Sequence, residues 1–253
     1  NSSRGLIRWD ANKNNFSEII NPKNKSKHDE YKGMLCIHST TDKKTYCGDE
    51  KGLYFVNCDK NSIEPIDIKD QNGKAIGIVY HMISDNDHQL YLFSPDNGFY
   101  IFNTQKNQLT HFSSQQIQKY IGVNNRRINI MPALLDSKQN IWFVNTNGVL
   151  CYRPKDKHFI AYAQKPSINN EAKIIQSHSI CQDKKGNYWI STIDNGIYEL
   201  KIVNGKETLI NFNTSTKPSI PSDYCKSIIC DQKGKLWIGT LAGLIRWNPN
   251  TYK

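Results

Sequence analysis

Residues 183–196 read Asp183-Lys-Lys-Gly186-Asn-Tyr-Trp189-Ile-Ser-Thr-Ile-Asp-Asn-Gly196, and residues 231–243 read Asp231-Gln-Lys-Gly234-Lys-Leu-Trp237-Ile-Gly-Thr-Leu-Ala-Gly243. In both, Asp precedes Trp by six residues and a Gly opens the next apolar pair. A third copy begins Asp136-Ser-Lys-Gln-Asn-Ile-Trp142 and reaches Gly148; Trp142, Trp189 and Trp237 are spaced by 47 and 48 residues. The five residues GLIRW at 5–9 recur at 243–247. Self-similarity at one period is the mark of a repeat architecture.

Weaker copies lie upstream. Asp85-Asn-Asp-His-Gln-Leu-Tyr91 puts Tyr where Trp stands elsewhere, and Thr40-Thr-Asp-Lys-Lys-Thr-Tyr46 also puts Thr in the Asp place. Gly followed by two apolar residues recurs at Gly5, Gly52, Gly98, Gly148, Gly196 and Gly243, at intervals of 47, 46, 50, 48 and 47. The two GLIRW stretches are thus the first and last copies of one unit.

Each unit reads as four short strands. The first is a continuous apolar run such as Ser227-Ile-Ile-Cys230, which suits a strand buried on both faces. Asp-x-x-Gly is a tight turn, because Asp accepts backbone N–H bonds locally and Gly supplies φ > 0. The second strand carries the aromatic. Asn-Gly at 97–98, 147–148 and 195–196 signals a hairpin into an alternating third strand, and a polar turn leads to a fourth. Helix signals are nearly absent; only residues 113–122, SSQQIQKYIG, suit a turn or two.

Four antiparallel strands per 45–50 residues predict an all-β fold of β-propeller blades, with a solenoid of hairpins as the competing arrangement. The predicted organisation is one incomplete propeller over 1–253: a half blade at 1–27, full blades at 28–72, 73–122, 123–168 and 169–220, and an incomplete blade at 221–253. Both ends hold a third strand, so simple strand exchange cannot close a ring, and an open or self-associating fragment is expected. The Trp residues then fill the gaps between adjacent sheets; a sugar-stacking row is the sharper alternative, disfavoured by their apolar strand.

The totals agree with a folded chain. Of 253 residues, 38% are hydrophobic and 11% aromatic, enough for a core, and no run of 18 apolar residues could span a membrane. No basic stretch followed by an apolar one marks a secretory leader, although a chain opening mid-pattern reads as processed or excised. Lys and Arg number 33 against 23 Asp and Glu, a balance of +10. The charges suit an acidic partner, or are simply spread over solvated turns. No basic stripe with interleaved aromatics exists, so nucleic acid is not an expected partner. The seven cysteines include no CxxC and mostly sit in apolar runs, so free thiols are expected and no metal site or cofactor.

The run Ser227-Ile-Ile-Cys-Asp231-Gln-Lys-Gly234-Lys-Leu-Trp237-Ile-Gly-Thr240-Leu-Ala-Gly243-Leu resembles the two-component regulator propeller repeat, and Cys181 through Gly196-Ile resembles it nearly as well. The match is strong over 136–247 and degenerate over 34–112. The resemblance implies the periplasmic sensor ectodomain of a Bacteroides-type hybrid two-component system, an inner-membrane protein with its histidine kinase elsewhere. It implies an oligosaccharide ligand that controls polysaccharide-utilisation genes. It also implies further blades of the same ectodomain as partners, and a homodimer in the full-length sensor.

If first strands line a central channel, the residues four and five places before each Asp turn matter for function. They are Leu35/Cys36, Tyr80/His81, Met131/Pro132, His178/Ser179 and Lys226/Ser227, with no carboxylate among them. A propeller glycosidase or lyase needs converging acids or a His pair; His81 and His178 could pair, but a single His per strand more often holds structure. Binding is therefore expected over catalysis, with a protein-interaction scaffold as the alternative, lowered by the absence of Trp-Asp blade ends. The candidate ligand residues are Arg126 and Arg127, which suit carboxylate or sulfate unless they form a solvated turn, with Tyr80, His81, His178, Tyr224 and Lys226. With the positive balance, they favour an acidic oligosaccharide.

Overall fold

The computed structural model describes residues 6–19, 34–85, 88–95, 97–121, 134–145, 148–162 and 176–252. The first sheet is a hairpin of β1 (Leu6–Asp10) and β2 (Asn15–Ile19). The second sheet holds β3 (Cys36–Ser39), β4 (Thr45–Gly48), β5 (Leu53–Asn57) and β6 (Ser62–Pro65). The third holds β7 (His81–Ser84), β8 (Gln89–Ser94), β9 (Gly98–Asn103) and β10 (Gln108–Phe112), and is followed by helix α1 (Ser114–Ile121). The fourth runs β11 (Leu134–Leu135), β12 (Ile141–Asn145), β13 (Gly148–Arg153), β14 (His158–Tyr162). The fifth runs β15 (Ser177–Gln182), β16 (Tyr188–Thr192), β17 (Ile197–Val203), β18 (Lys206–Phe212). The sixth stops at three strands: β19 (Cys225–Cys230), β20 (Leu236–Thr240), β21 (Gly243–Trp247). Every sheet is antiparallel in sequence order. This is an all-β array of propeller blades, incomplete in its first and sixth sheets.

The chain divides into two compact units, Asn1–Ser114 and Gln115–Lys253. Within the first unit, Leu6 and Ile19 pack on Cys47, Tyr54, Val56 and Ile63 of the second sheet. The opposite face of that sheet, with Tyr46 and Leu53, meets Met82, Leu90, Leu92 and Tyr100 of the third. Within the second unit, Trp142, Val144 and Cys151 of the fourth sheet face Tyr188, Ile190 and Tyr198 of the fifth. The other face of the fifth, with Cys181, Trp189 and Phe212, is covered by Ile228, Leu236, Ile238 and Trp247 of the sixth. In the second and fifth sheets the period-2 alternation of the strands thus serves two interfaces, one per face.

The Asp turns do more than turn. Asp136 Oδ1 accepts the N–H groups of Lys138 and Asn140, each at 2.8 Å, while Oδ2 accepts Trp142 Nε1–H at 2.8 Å. Asp183 holds Trp189 Nε1 at 3.0 Å and Asp231 holds Trp237 Nε1 at 2.9 Å in the same way. Where Trp is replaced, Tyr91 Oη donates to Asp85 Oδ2 at 2.7 Å, so the phenol reproduces the indole's bond. The fourth turn residue is left-handed in every copy: Gly186 and Gly234, but also Lys43, His88 and Gln139. At the hairpin glycines the demand is stricter. Gly196 has φ +72°, and a Cβ there would sit 2.2 Å from the Phe212 carbonyl oxygen.

Two expectations need correction. The first strands are not buried on both faces: Ile37 is 56% exposed in β3 and Ile229 61% exposed in β19. Each is an edge strand, paired on one side only. The repeated tryptophans are also not equivalent. Trp142 and Trp189 are fully buried, whereas Trp237 is half-buried because it lies on the face of the sixth sheet opposite the one packed on the fifth. Trp189→Ala should therefore lower unfolding free energy by about 3–5 kcal/mol, and Trp237→Ala by clearly less. Urea denaturation of both variants compares them; equal losses would contradict the burial difference.

Candidate functional site

The first strands of the fifth and sixth sheets share an irregularity. In β15 the ladder pairs Ser177 with Thr192 and Ser179 with Ser191, skipping His178. In β19 it pairs Cys225 with Thr240 and Ser227 with Gly239, skipping Lys226. Both are β-bulges at the same place in the repeat, and a bulge frees one residue from the ladder and re-aims its side chain. No such shift interrupts the pairing of β3 with β4 or of β7 with β8.

Both bulged residues line one open groove of about 520 Å³. Tyr224, which precedes β19 and is half-buried, forms part of its wall, with Leu241 from the β20–β21 turn and Leu244 from β21. Ser179, Ser227 and Thr240 add hydroxyls. Tyr224 is fixed through its backbone: its N–H donates to Ser222 Oγ at 3.2 Å and its carbonyl accepts Leu241 N–H at 3.3 Å. Gly239 keeps the floor open, since a Cβ there would meet Ser227 Oγ at 2.5 Å. The groove is chiefly apolar and aromatic, with an exposed ammonium and a half-buried imidazole, and none of its lining residues is a carboxylate. Such walls suit the C–H face of a polar ring compound, with a few donors at its rim.

Three of the expected ligand residues, His178, Tyr224 and Lys226, thus come together in one groove. Arg126 and Arg127 lie outside the described residues. Tyr80 and His81 belong to the other unit and form a different environment. Tyr80 is half exposed, its N–H donating to the Phe93 carbonyl at 2.9 Å. His81 of β7 neighbours His38 of β3, whose Nε2 bonds Ser84 Oγ at 2.9 Å across the second and third sheets. Burial, then the nearby His38, holds the His81 imidazole below the ordinary histidine value, and burial lowers His38 likewise. Among the described residues no group of three His, Cys, Asp or Glu could hold a metal ion. All seven thiols are free, and burial pushes Cys36 and Cys47 up to about 12, so neither is a thiolate nucleophile at neutral pH.

Sequence reasoning reached His178 and Lys226 by counting back from the Asp turn, but the bulge that aims them carries no residue-level mark. It also missed Asp70-Gln-Asn-Gly73, an extra Asp turn before the third sheet, where Asp70 Oδ2 bonds His111 Nδ1 at 3.1 Å. The ring of His111 stacks on Tyr100 with centroids 4.2 Å apart, and its Nε2 donates to the Asn97 carbonyl. That pair is used up structurally.

A model of the two-component regulator propeller family matches residues 174–194 and 219–242, the stretches that carry both bulges. No curated protein matches the chain. Among solved structures, it is similar to the extracellular domain of BT3049 from B. thetaiotaomicron, described as a hybrid two component system. That likeness has 18% identity and a TM-score of 0.66, over 97% of this chain and 31% of that one. PorZ, a surface component of the type-IX secretion system of Porphyromonas gingivalis, is similar at 15% identity and TM-score 0.63, over 87% and 33%. The WD40 propeller domain of Doa1 follows at 13% and 0.53, over 86% and 64%. At such identities the likeness is one of fold. The chain spans about a third of the length of the two bacterial chains.

The histidine pair of the first unit gives a pH test. Lowered folded values mean that the unfolded chain binds more protons below its ordinary histidine pKa of about 6.5. The stability contributed by neutral His38 and His81 is complete above that pH and is lost as pH falls toward the folded values. Denaturation midpoints should drop between about pH 7.5 and 5.5, and His38→Gln with His81→Gln should flatten the slope. An unchanged slope in the double variant would count against the pair.

Proposed function

We propose, on the premise that this chain carries two-component regulator propeller repeats, that it is a ligand-sensing module of a hybrid two-component sensor rather than an enzyme. The proposed ligand is an oligosaccharide met in the periplasm, and the response is transmitted across the membrane to a kinase elsewhere in a longer protein that controls polysaccharide-utilisation genes. Two findings support this reading: the family match falls on the fifth and sixth blades, and the structural likeness extends to the extracellular domain of a hybrid two component system. No helix among the described residues is long and apolar enough to cross a membrane.

The observation that carries the binding reading is the pair of aligned bulges that bring His178 and Lys226 to a groove walled by Tyr224. A sugar ring would lay its C–H face on Tyr224, while His178 and Lys226 bond its hydroxyls or an acidic substituent. Without a carboxylate, the groove lacks the pair of acids by which glycosidases usually cleave a glycosidic bond. Signalling would follow if ligand binding across two blades favours one arrangement of them over another.

Calorimetric titration with neutral, uronic and sulfated oligosaccharides tests this. Tyr224→Ala should weaken binding of every ligand bound, and Lys226→Ala should weaken acidic ligands by about tenfold, as loss of a charged hydrogen bond does. Arg126→Ala with Arg127→Ala should weaken acidic ligands as well, and their binding should fall with salt as exposed charges are screened over about 8 Å at physiological ionic strength. Salt-independent binding of a neutral glycan would remove the acidic preference and keep the sensor. Glycan turnover by the protein would replace sensing with catalysis.

A further inference from the structure

Cys181 of β15 and Cys230 of β19 stand on the facing sides of the fifth and sixth sheets. Cys181 pairs in register with Trp189, on the face of the fifth sheet that the sixth covers. Cys230 pairs with Leu236, on the face of the sixth sheet that packs against the fifth. Both thiols belong to that one packed cluster and both are free, Cys181 buried and Cys230 partly exposed.

The two first strands run side by side in the same direction. At their starts His178 and Lys226 both line the groove, and past their ends Lys184 Cδ lies 3.3 Å from the place a Cβ would take on Gly234. Between these points the Ser179 hydroxyl donates to the Ile228 carbonyl at 3.4 Å. Side chains two apart on a strand share a face. Two residues on from Ser179 and from Ile228 stand Cys181 and Cys230, so the same alignment brings the thiols abreast.

The repeat gives an independent measure. His38 stands two residues before the turn residue Thr40, as Cys181 stands two before Asp183. Ser84 stands one before Asp85, as Cys230 stands one before Asp231. Across the second and third sheets, His38 Nε2 and Ser84 Oγ are hydrogen-bonded at 2.9 Å. These two places of neighbouring blades therefore meet side chain to side chain, and in the fifth and sixth blades both are cysteine. A thiol is shorter than an imidazole, but the Ser179 hydroxyl alone already spans β15 to β19.

We infer that Cys181 and Cys230 are a redox pair that closes to an inter-blade disulfide when the folded chain meets a disulfide-bearing oxidant. Cys230, the more exposed, attacks one sulfur of the oxidant, and its proton leaves with the first oxidant thiol. Cys181 then attacks the Cys230 sulfur of the mixed disulfide, and its proton leaves with the second. Two protein thiols are oxidised to one disulfide, and the oxidant's disulfide is reduced to two thiols. Burial raises the Cys181 thiol, and burial with Asp183 and Asp231 raises Cys230, so the exchange is slow and relies on the position of the pair. The bond staples together the two strands whose bulges present His178 and Lys226. This goes beyond the sensing reading and stands apart from it, since no groove ligand enters the test.

Oxidised glutathione added to the folded 253-residue chain, then alkylation, trypsin digestion and mass spectrometry, reads the pairing directly. Peptides 174–184 and 227–233, each with one cysteine, should be recovered joined, with the loss of two hydrogens. The oxidised chain should melt about 5–10 °C above the reduced one, and dithiothreitol should reverse the shift. Cys181→Ser and Cys230→Ser should each abolish it, while Cys58→Ser, which removes an exposed thiol elsewhere, should keep it. The peptide readout uses the wild-type chain, so it decides the matter even where a variant folds poorly. Recovery of the two peptides unjoined, whether alkylated or carrying glutathione, overturns the inference, as does their joining only in urea-unfolded chain.

Discussion

The hydrogen bond from an aromatic side chain to the Asp six residues before it is the constraint around which the third to sixth sheets are built. One carboxylate closes the turn through Oδ1 and anchors the second strand through Oδ2, so a single residue sets both the hairpin and the placement of a large ring. Asp136 shows what that is worth. Burial works to raise its carboxyl, but hydrogen bonds from Tyr188, Trp142 and Asn140 outweigh it and hold the group below the usual carboxylate value. An ionised buried carboxylate persists only where it is bonded so fully. The Tyr188 hydroxyl reaches it from the next sheet at 2.7 Å, which ties neighbouring blades to the same atom.

From that anchor the packing between sheets follows. The ring of Trp142 lies 4.0 Å from that of Tyr188, and Phe212 stands between Trp189 and Trp247 with centroid distances of 5.7 and 5.4 Å. Aromatic contacts of this kind join consecutive blades where short strands alone would leave marginal sheets. Trp237, on the face of the sixth sheet turned away from the fifth, is only half-buried.

The groove depends on a departure from the repeat. A regular ladder would commit every residue of β15 and β19 to pairing, with side chains alternating between the two sheet faces. One extra residue in each strand leaves His178 and Lys226 outside the ladder, at the edge where the two blades meet. Gly239 then matters for what it lacks. Its counterpart in the fifth blade is Ser191, fully buried, whereas a side chain at 239 would press on Ser227 at the groove floor.

The sequence by itself determined the period, the strand order, the turn residues and the hairpins, because each is local: Asp and Gly act on their own backbone, and an alternating strand shows its faces in its residues. It also showed that Asp stands six before Trp, without showing that the two are bonded, since that bond spans a hairpin. Tertiary structure decided the rest. Which first-strand face is covered depends on a neighbouring sheet, so Ile228 and Ile229 read alike and end on opposite sides. Tyr80 and His178 hold the same place in the repeat, yet Tyr80 donates its N–H to the Phe93 carbonyl beside an unshifted ladder while His178 is freed by a bulge. A bulge is a shift in register between two strands, and no single strand records it.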